Sequence, residues 1–254
     1  GGAGGSIHIQ AGSLTGIGSI TADGGNRDIA IGFYGNAGGG GGGRVAVHFA
    51  TSSFVGAATA YGGNTFSSRG GGAGTVLFGS DLTVGNNNIS GAGTPLAVGI
   101  YSFQNVVLKQ RGILSIPIQI QITYANLYVR DGGRLISSGA WEAVAGGQIV
   151  LDGGGEVQHN AGAFNGGALA TGGTFYANAP VNIASLLVNS GGVLTHSAGN
   201  PGFNVTVAGN GEVRSGGWIS GDTKGYGAGQ GPGAGRSGSN GSGGGYGGNN
   251  VEVG

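Results

Sequence analysis

Six glycines in a row, Gly38 to Gly43, run directly into Arg44-Val45-Ala46-Val47-His48-Phe49. A second run, Gly70-Gly71-Gly72-Ala73-Gly74, opens Thr75-Val76-Leu77-Phe78, and glycine is dense again over 225–248. In all, 66 of 254 residues are glycine, several times the usual share. Glycine costs about 1 kcal/mol against alanine in a helix interior, which excludes a helical fold for such a chain. Disorder is the other state glycine favours. The chain is 38% hydrophobic, however, and disordered chains are depleted in Val, Ile, Leu and aromatics. An ordered all-β protein remains.

The tracts themselves read in two ways. Glycine-rich segments serve as flexible linkers, but these enter strands abruptly, at Gly43-Arg44 and Gly74-Thr75. They also contain almost none of the Glu, Lys and Pro that solubilise linkers. The alternative is packed, extended glycine similar to polyproline II, with backbones approaching closely because no side chains intervene. No strict third-residue glycine period exists, which excludes collagen.

Between about 100 and 220, apolar alternation of period two marks strands. Twelve-residue segments beginning at Asn105, Asn126, Gln148, Ser185 and Asn204 align. Three columns are always aliphatic: Val106, Leu127, Ile149, Leu186, Val205; Leu108, Val129, Leu151, Val188, Val207; and Leu114, Leu135, Val157, Leu194, Val213. Glycine fills another column, Gly112, Gly133, Gly155, Gly192 and Gly211, where it is expected to permit backbone angles that a Cβ forbids. The long interval between Gln148 and Ser185 contains Gly173-Thr174-Phe175-Tyr176-Ala177 and Val181-Asn182-Ile183, read as a degenerate extra coil. A repeat near 20 residues, with two strands meeting at a glycine bend, predicts a parallel β-solenoid whose three columns are buried. The opening Asn/Gln column could form an amide ladder between coils.

A resemblance accompanies this pattern. Gly4-Gly5-Ser6-Ile7-His8-Ile9, then Leu14, Gly16, Gly18, Ile20, Ala22 and Gly24-Gly25, resemble a motif of very large glycine-rich bacterial surface proteins. The likeness extends through Gly38–Gly43 into Arg44-Val45-Ala46-Val47 and through Gly72-Ala73-Gly74-Thr75-Val76. It returns in Gly231-Pro232-Gly233-Ala234-Gly235 and Gly243-Gly244-Gly245-Tyr246-Gly247-Gly248, covering about a third of the chain. It implies secretion, a tandem-repeat β-solenoid and a surface or matrix role, and carries over no catalytic residue.

Charge narrows the function classes. Ten basic and ten acidic residues give a net charge of zero, which argues against nucleic-acid binding and against a polybasic membrane surface. No apolar run approaches the 18 or so residues of a membrane helix. Cysteine is absent, so disulfides and thiol chemistry are too. Methionine is absent even at position 1, as expected of a mature product or an excerpt.

The acids best placed for polysaccharide chemistry are Asp131, Asp152, Glu156 and Glu212. The alignment sets Asp152 against Arg130 and Glu156 against Arg134, so ion pairs between neighbouring strands are expected instead of catalysis. His159 and His196 share a column but lack a third ligand for zinc or copper. His8 and His48 read as outward strand residues. Asp131-Gly132-Gly133 and Asp152-Gly153-Gly154-Gly155 lack the nonapeptide of calcium-binding β-rolls and read as bends. No tract ends in the Gly-Lys-Ser/Thr of a phosphate loop. Thr83, Thr195 and Thr206 share no column, which argues against an ice-binding ladder. Trp141, Trp218, Tyr61, Tyr226 and Tyr246 lie beside glycine-rich stretches rather than in the aliphatic columns; there they cover flanks or pack on glycine backbone, or else contact sugars or subunits. Asn88, Asn204 and Asn240 open formal glycosylation motifs.

The expected architecture is all-β, a parallel β-solenoid with packed glycine segments. It divides into a glycine-rich β segment (1–99), a solenoid core (100–224) and a glycine-rich segment leading into a further strand (225–254). The expected function is an extracellular structural unit of a self-assembling surface fibre or filament, not an enzyme, with no catalytic residue, metal or cofactor. Its partner is itself, head-to-tail or as tandem repeats, since Asn250-Val251-Glu252-Val253-Gly254 continues in the grammar of Gly1–Ile9. The alternatives are an adhesin or carbohydrate-binding module, with surface polysaccharide as partner, and third a polysaccharide-active β-helix enzyme.

Overall fold

The computed structural model describes residues 1–27, 38–65, 70–162, 164–200 and 202–226. These residues contain strands and turns and no helix. The glycine-rich first part carries β1 (Ser6–Gly16), β2 (Ser19–Thr21), β3 (Arg44–Phe54), β4 (Ala57–Thr59) and β5 (Thr75–Phe78). Then follow β6 (Asp81–Gly85), β7 (Thr94–Pro95), β8 (Gly99–Lys109), β9 (Ile113–Ile116) and β10 (Ile120–Val129). The middle holds β11 (Arg134–Ser137), β12 (Ala140–Leu151), β13 (Glu156–His159), β14 (Phe164–Thr171) and β15 (Thr174–Ala177). The last are β16 (Val181–Val188), β17 (Val193–Thr195), β18 (Val205–Val207), β19 (Gly211–Val213) and β20 (Trp218–Ile219).

Two sheets advance in step. The larger runs β1-β3-β5-β6-β8-β10-β12-β14-β16-β18, with β19 also on β16, and the smaller runs β7-β9-β11-β13-β15-β17-β20. From β8 to β17 each pass of the chain adds one strand to the larger sheet and the next to the smaller, always parallel. The antiparallel step is β5 to β6, a two-residue hairpin at Gly79-Ser80 with Gly79 at φ 62°. It reverses strand direction between the glycine-rich part and the rest, which the sequence pattern does not announce.

A separate buried cluster gathers Val45, Val47 and Val76 in the glycine-rich part, while from β6 onward the inward residues of both sheets share one core. Leu108, Leu114, Val129, Leu135, Ile149, Leu151, Val157, Val188 and Leu194 are all buried in it. The first four aligned segments keep their columns, since Asn105, Asn126 and Gln148 pair in register and Ala168 and Ser185 continue the line. The extra pass is built differently from the sequence expectation. Ala168–Thr171 and β15 form it, whereas Val181–Ile183 belong to the following pass, paired with Phe164–Gly166.

The fifth segment is out of register. Val205 and Val207 pair with Val181 and Ile183, Val213 pairs with Val188, and Ile219 takes the place opposite Leu194. Val205 and Val207 are half-buried and Val213 is 48% exposed, so these three do not join the buried columns. A Val-x-Val stretch satisfies either half of the larger sheet equally well, which is why the spacing misplaced it. Gly217, not Gly211, closes the last bend.

Each bend is a hydrogen-bonded turn. Gly112, Gly133, Gly155, Gly192 and Gly217 donate N–H to the carbonyls of Lys109, Arg130, Asp152, Asn189 and Arg214, at 2.7–2.9 Å. The left-handed positions lie just before them: Gln110 and Arg111, Asp131 and Gly132, Gly153 and Gly154 all have φ between 50° and 77°. The column glycine is required for a different reason than conformational freedom. A Cβ on Gly155 would run into the Val129 carbonyl of the previous pass, and one on Gly133 into that of Leu108.

The glycine tracts pack as extended chains. Residues 38–43 bond to four neighbouring segments, through Gly4 N–H to Gly41 O, Gly40 N–H to Gly25 O, Gly63 N–H to Gly40 O and Gly42 N–H to Gly72 O, at 2.7–3.0 Å. The same neighbour recurs every third residue: Gly40 and Gly43 donate to Gly25 and Ala22, Gly71 and Gly74 to Gly63 and Ala60. Three residues per turn is the polyproline II repeat. Cβ atoms on Gly39, Gly40, Gly42 or Gly43 would strike neighbouring backbone. Residues 38–43 are thus ordered and packed; most of the tract at 225–248 lies outside the described residues.

Candidate interaction surfaces

The charged residues are dispersed along the strands. Arg134 Nη2 meets Glu156 Oε1 at 2.6 Å, opposite each other in register as the alignment predicts. Arg130 and Asp152 form no ion pair, and Glu212 turns to Arg214 of its own segment at 2.9 Å. Asp131 and Asp152 sit in the bends, where their backbones shape the turns. Among the described residues no three His, Asp or Glu side chains converge as a metal set would require.

His8 and His48 lie outward and exposed with rings 5.4 Å apart. His159 and His196 are buried, with the pass containing Ala177 between them. The Trp141 indole N–H donates to His159 Nδ1 at 3.0 Å, which leaves the ring proton on Nε2. Nε2 has no hydrogen-bond partner. Burial lowers the His159 pKa, and the Pro180 backbone only partly offsets this.

Trp141 corrects the sequence expectation that it lies on a flank. It is 1% exposed, between Ile122 and Phe164 in register, with its ring stacked 4.2 Å from Phe164. The twelve-residue alignment omits the first half of each long strand, where this residue sits. Tyr124, stacked on the other side of Trp141, is also buried, and its hydroxyl has no partner. Burial, then Glu142, raises its pKa well above normal.

The outer faces carry short polar ladders. Asn126 donates to Asn105 at 2.9 Å and Asn105 to Asp81 at 2.8 Å. The ladder stops at Gln148, whose amide faces the Tyr128 hydroxyl, and Asn204 belongs to another column. A second ladder, Asn178 to Asn160 and Ser197, was not legible because it lies in the loops after the smaller sheet.

Three surface features stand out. Among the described residues no strand pairs with the outer edge of β1, eleven residues long and free of charge. At the other end, Trp218 and Ile219 of the last pass are 61% and 48% exposed. The third is a polar cleft lined by Asp23, Asn26, Tyr61, Asn64 and Asn87. Burial and the Asp23 charge together raise the Tyr61 pKa. Tyr226 is also exposed, and Tyr246 and Asn240 lie outside the described residues. No protein-family model, curated protein or solved structure matches this chain.

Proposed function

We propose that this chain is a parallel β-solenoid acting as the structural unit of an extracellular surface fibre. From β8 onward, successive passes with matched register, a core shared by the two sheets and the joint advance of those sheets support the solenoid. The observation that carries the fibre is the outer edge of β1, with which no strand among the described residues pairs. Gly5 O accepts from Arg44 N–H at 2.9 Å, so by strand alternation Ser6, His8 and Gln10 turn their N–H and C=O groups away from β3. Natural proteins blunt long edges with charges or proline, and β1 contains neither. At the far end, Val213 and Ile219 of the last pass are exposed. The two ends complement each other as a head-to-tail contact, and such a contact propagates into a filament unless its rotation closes a ring. Zero net charge offers little repulsion against it.

Sedimentation velocity over a concentration series tests this reading. Large, concentration-dependent species are expected from the wild type. His8→Pro, which removes an outward N–H without touching the bonds to β3, should leave a folded, smaller species. Wild type that stays monomeric at every concentration contradicts the proposal.

A further inference from the structure

The cleft beside Tyr61 is assembled from three successive stretches, 22–27, 60–64 and 86–89, and its groups are fixed by their own bonds. Asp23 Oδ1 accepts from the Tyr61 N–H at 2.7 Å and Oδ2 from the Thr59 hydroxyl at 3.1 Å. Asn26 Oδ1 accepts from the Asn64 N–H at 2.7 Å. Asn86, 1% exposed, accepts from Gly62 N–H and donates to the carbonyls of Gly71 and Ile89. That buried amide pins the turn in which Asn87 and Asn88 have φ of 47° and 62°, and Asn87 is held exposed at the rim. The Tyr61 hydroxyl faces Gln110 at 3.4 Å, which steadies the ring.

The volume is about 300 Å³, at the small end of ligand sites. Among the described residues no Lys or Arg lines it, so an anion finds no countercharge there. The one carboxylate among its described residues, Asp23, already accepts on both oxygens, far short of the six to eight oxygens that Ca²⁺ takes. What remains among the described residues is a set of neutral amides, glycine backbone, Ile89 and one aromatic ring. Amides exchange hydrogen bonds with hydroxyls, and an aromatic ring covers the apolar face of a sugar ring. We infer that this cleft binds a neutral saccharide segment. This gives the surface polysaccharide anticipated from the sequence a location, and it stands independently of fibre assembly.

Calorimetric titration of the full chain with cellotetraose, chitotetraose and mannotetraose, and separately with calcium chloride, tests it. At least one tetrasaccharide should bind with Kd of about 1 mM or tighter. Tyr61→Ala should weaken that binding about tenfold. Asn87→Gly, which keeps the left-handed turn and removes only the amide, should weaken it several-fold with an unchanged melting temperature. The inference is overturned if none of the three sugars gives heat at about 10 mM. It is equally overturned if Asn87→Gly and Tyr61→Ala bind like the wild type, or if calcium chloride alone gives a binding heat that Asn87→Gly abolishes.

Discussion

Gly154 and Gly155 stand side by side in one turn and are glycine for different reasons. Gly154 has φ 77°, a backbone state that costs an L-residue about 1–2 kcal/mol. Gly155 abuts the Val129 carbonyl, and a methyl there must push two passes apart. Gly155→Ala should therefore cost about 3 kcal/mol, the upper range for overpacking, and Gly154→Ala less, as denaturant unfolding of both variants will measure. His159 supplies a second prediction at this scale. Its pKa is lowered in the folded state, so the unfolded chain takes the proton first, near its ordinary value of about 6.5. Stability is thus fully present above that pH and falls as pH drops below it. Unfolding curves at successive pH values should show this decline, and His159→Phe should flatten it.

Within the elements, the glycine tracts behave as packed structure and should exchange amide hydrogens slowly. Gly40, Gly43, Gly63 and Gly71 donate to neighbouring tracts, so their amides should be protected, whereas linkers would exchange at once. Gly40→Ala should disrupt the bundle, while Gly2→Ala, where a Cβ meets nothing, should not. Much of this was legible in the sequence. Period-two alternation gave the strands, and the aliphatic columns at Leu108, Val129 and Leu151 gave the core. The pairing of Arg134 with Glu156 followed from the same alignment. Other features were not legible, each for a physical reason. Val205-Thr206-Val207 fits two registers equally well. Trp141 looks like a flank residue because its neighbours Gly139 and Gly146 are glycine, yet it occupies an inward position. The hairpin at Gly79-Ser80 reverses direction without altering the hydrophobic pattern. The polar cleft was also hidden, since Asp23, Tyr61 and Asn87 are far apart in the chain and meet only when the tracts pack.

On the scale of the whole molecule, the described residues leave the outer edge of β1 unpaired at one end and Trp218 and Ile219 exposed at the other. Association across these ends would continue the spacing of about 4.8 Å between strands from one copy into the next. Electron cryo-microscopy of the purified protein at high concentration tests this most directly. The account predicts unbranched filaments with a strong repeat of about 4.8 Å along the filament axis. Discrete monomers, or filaments with that repeat running across the axis, would contradict it.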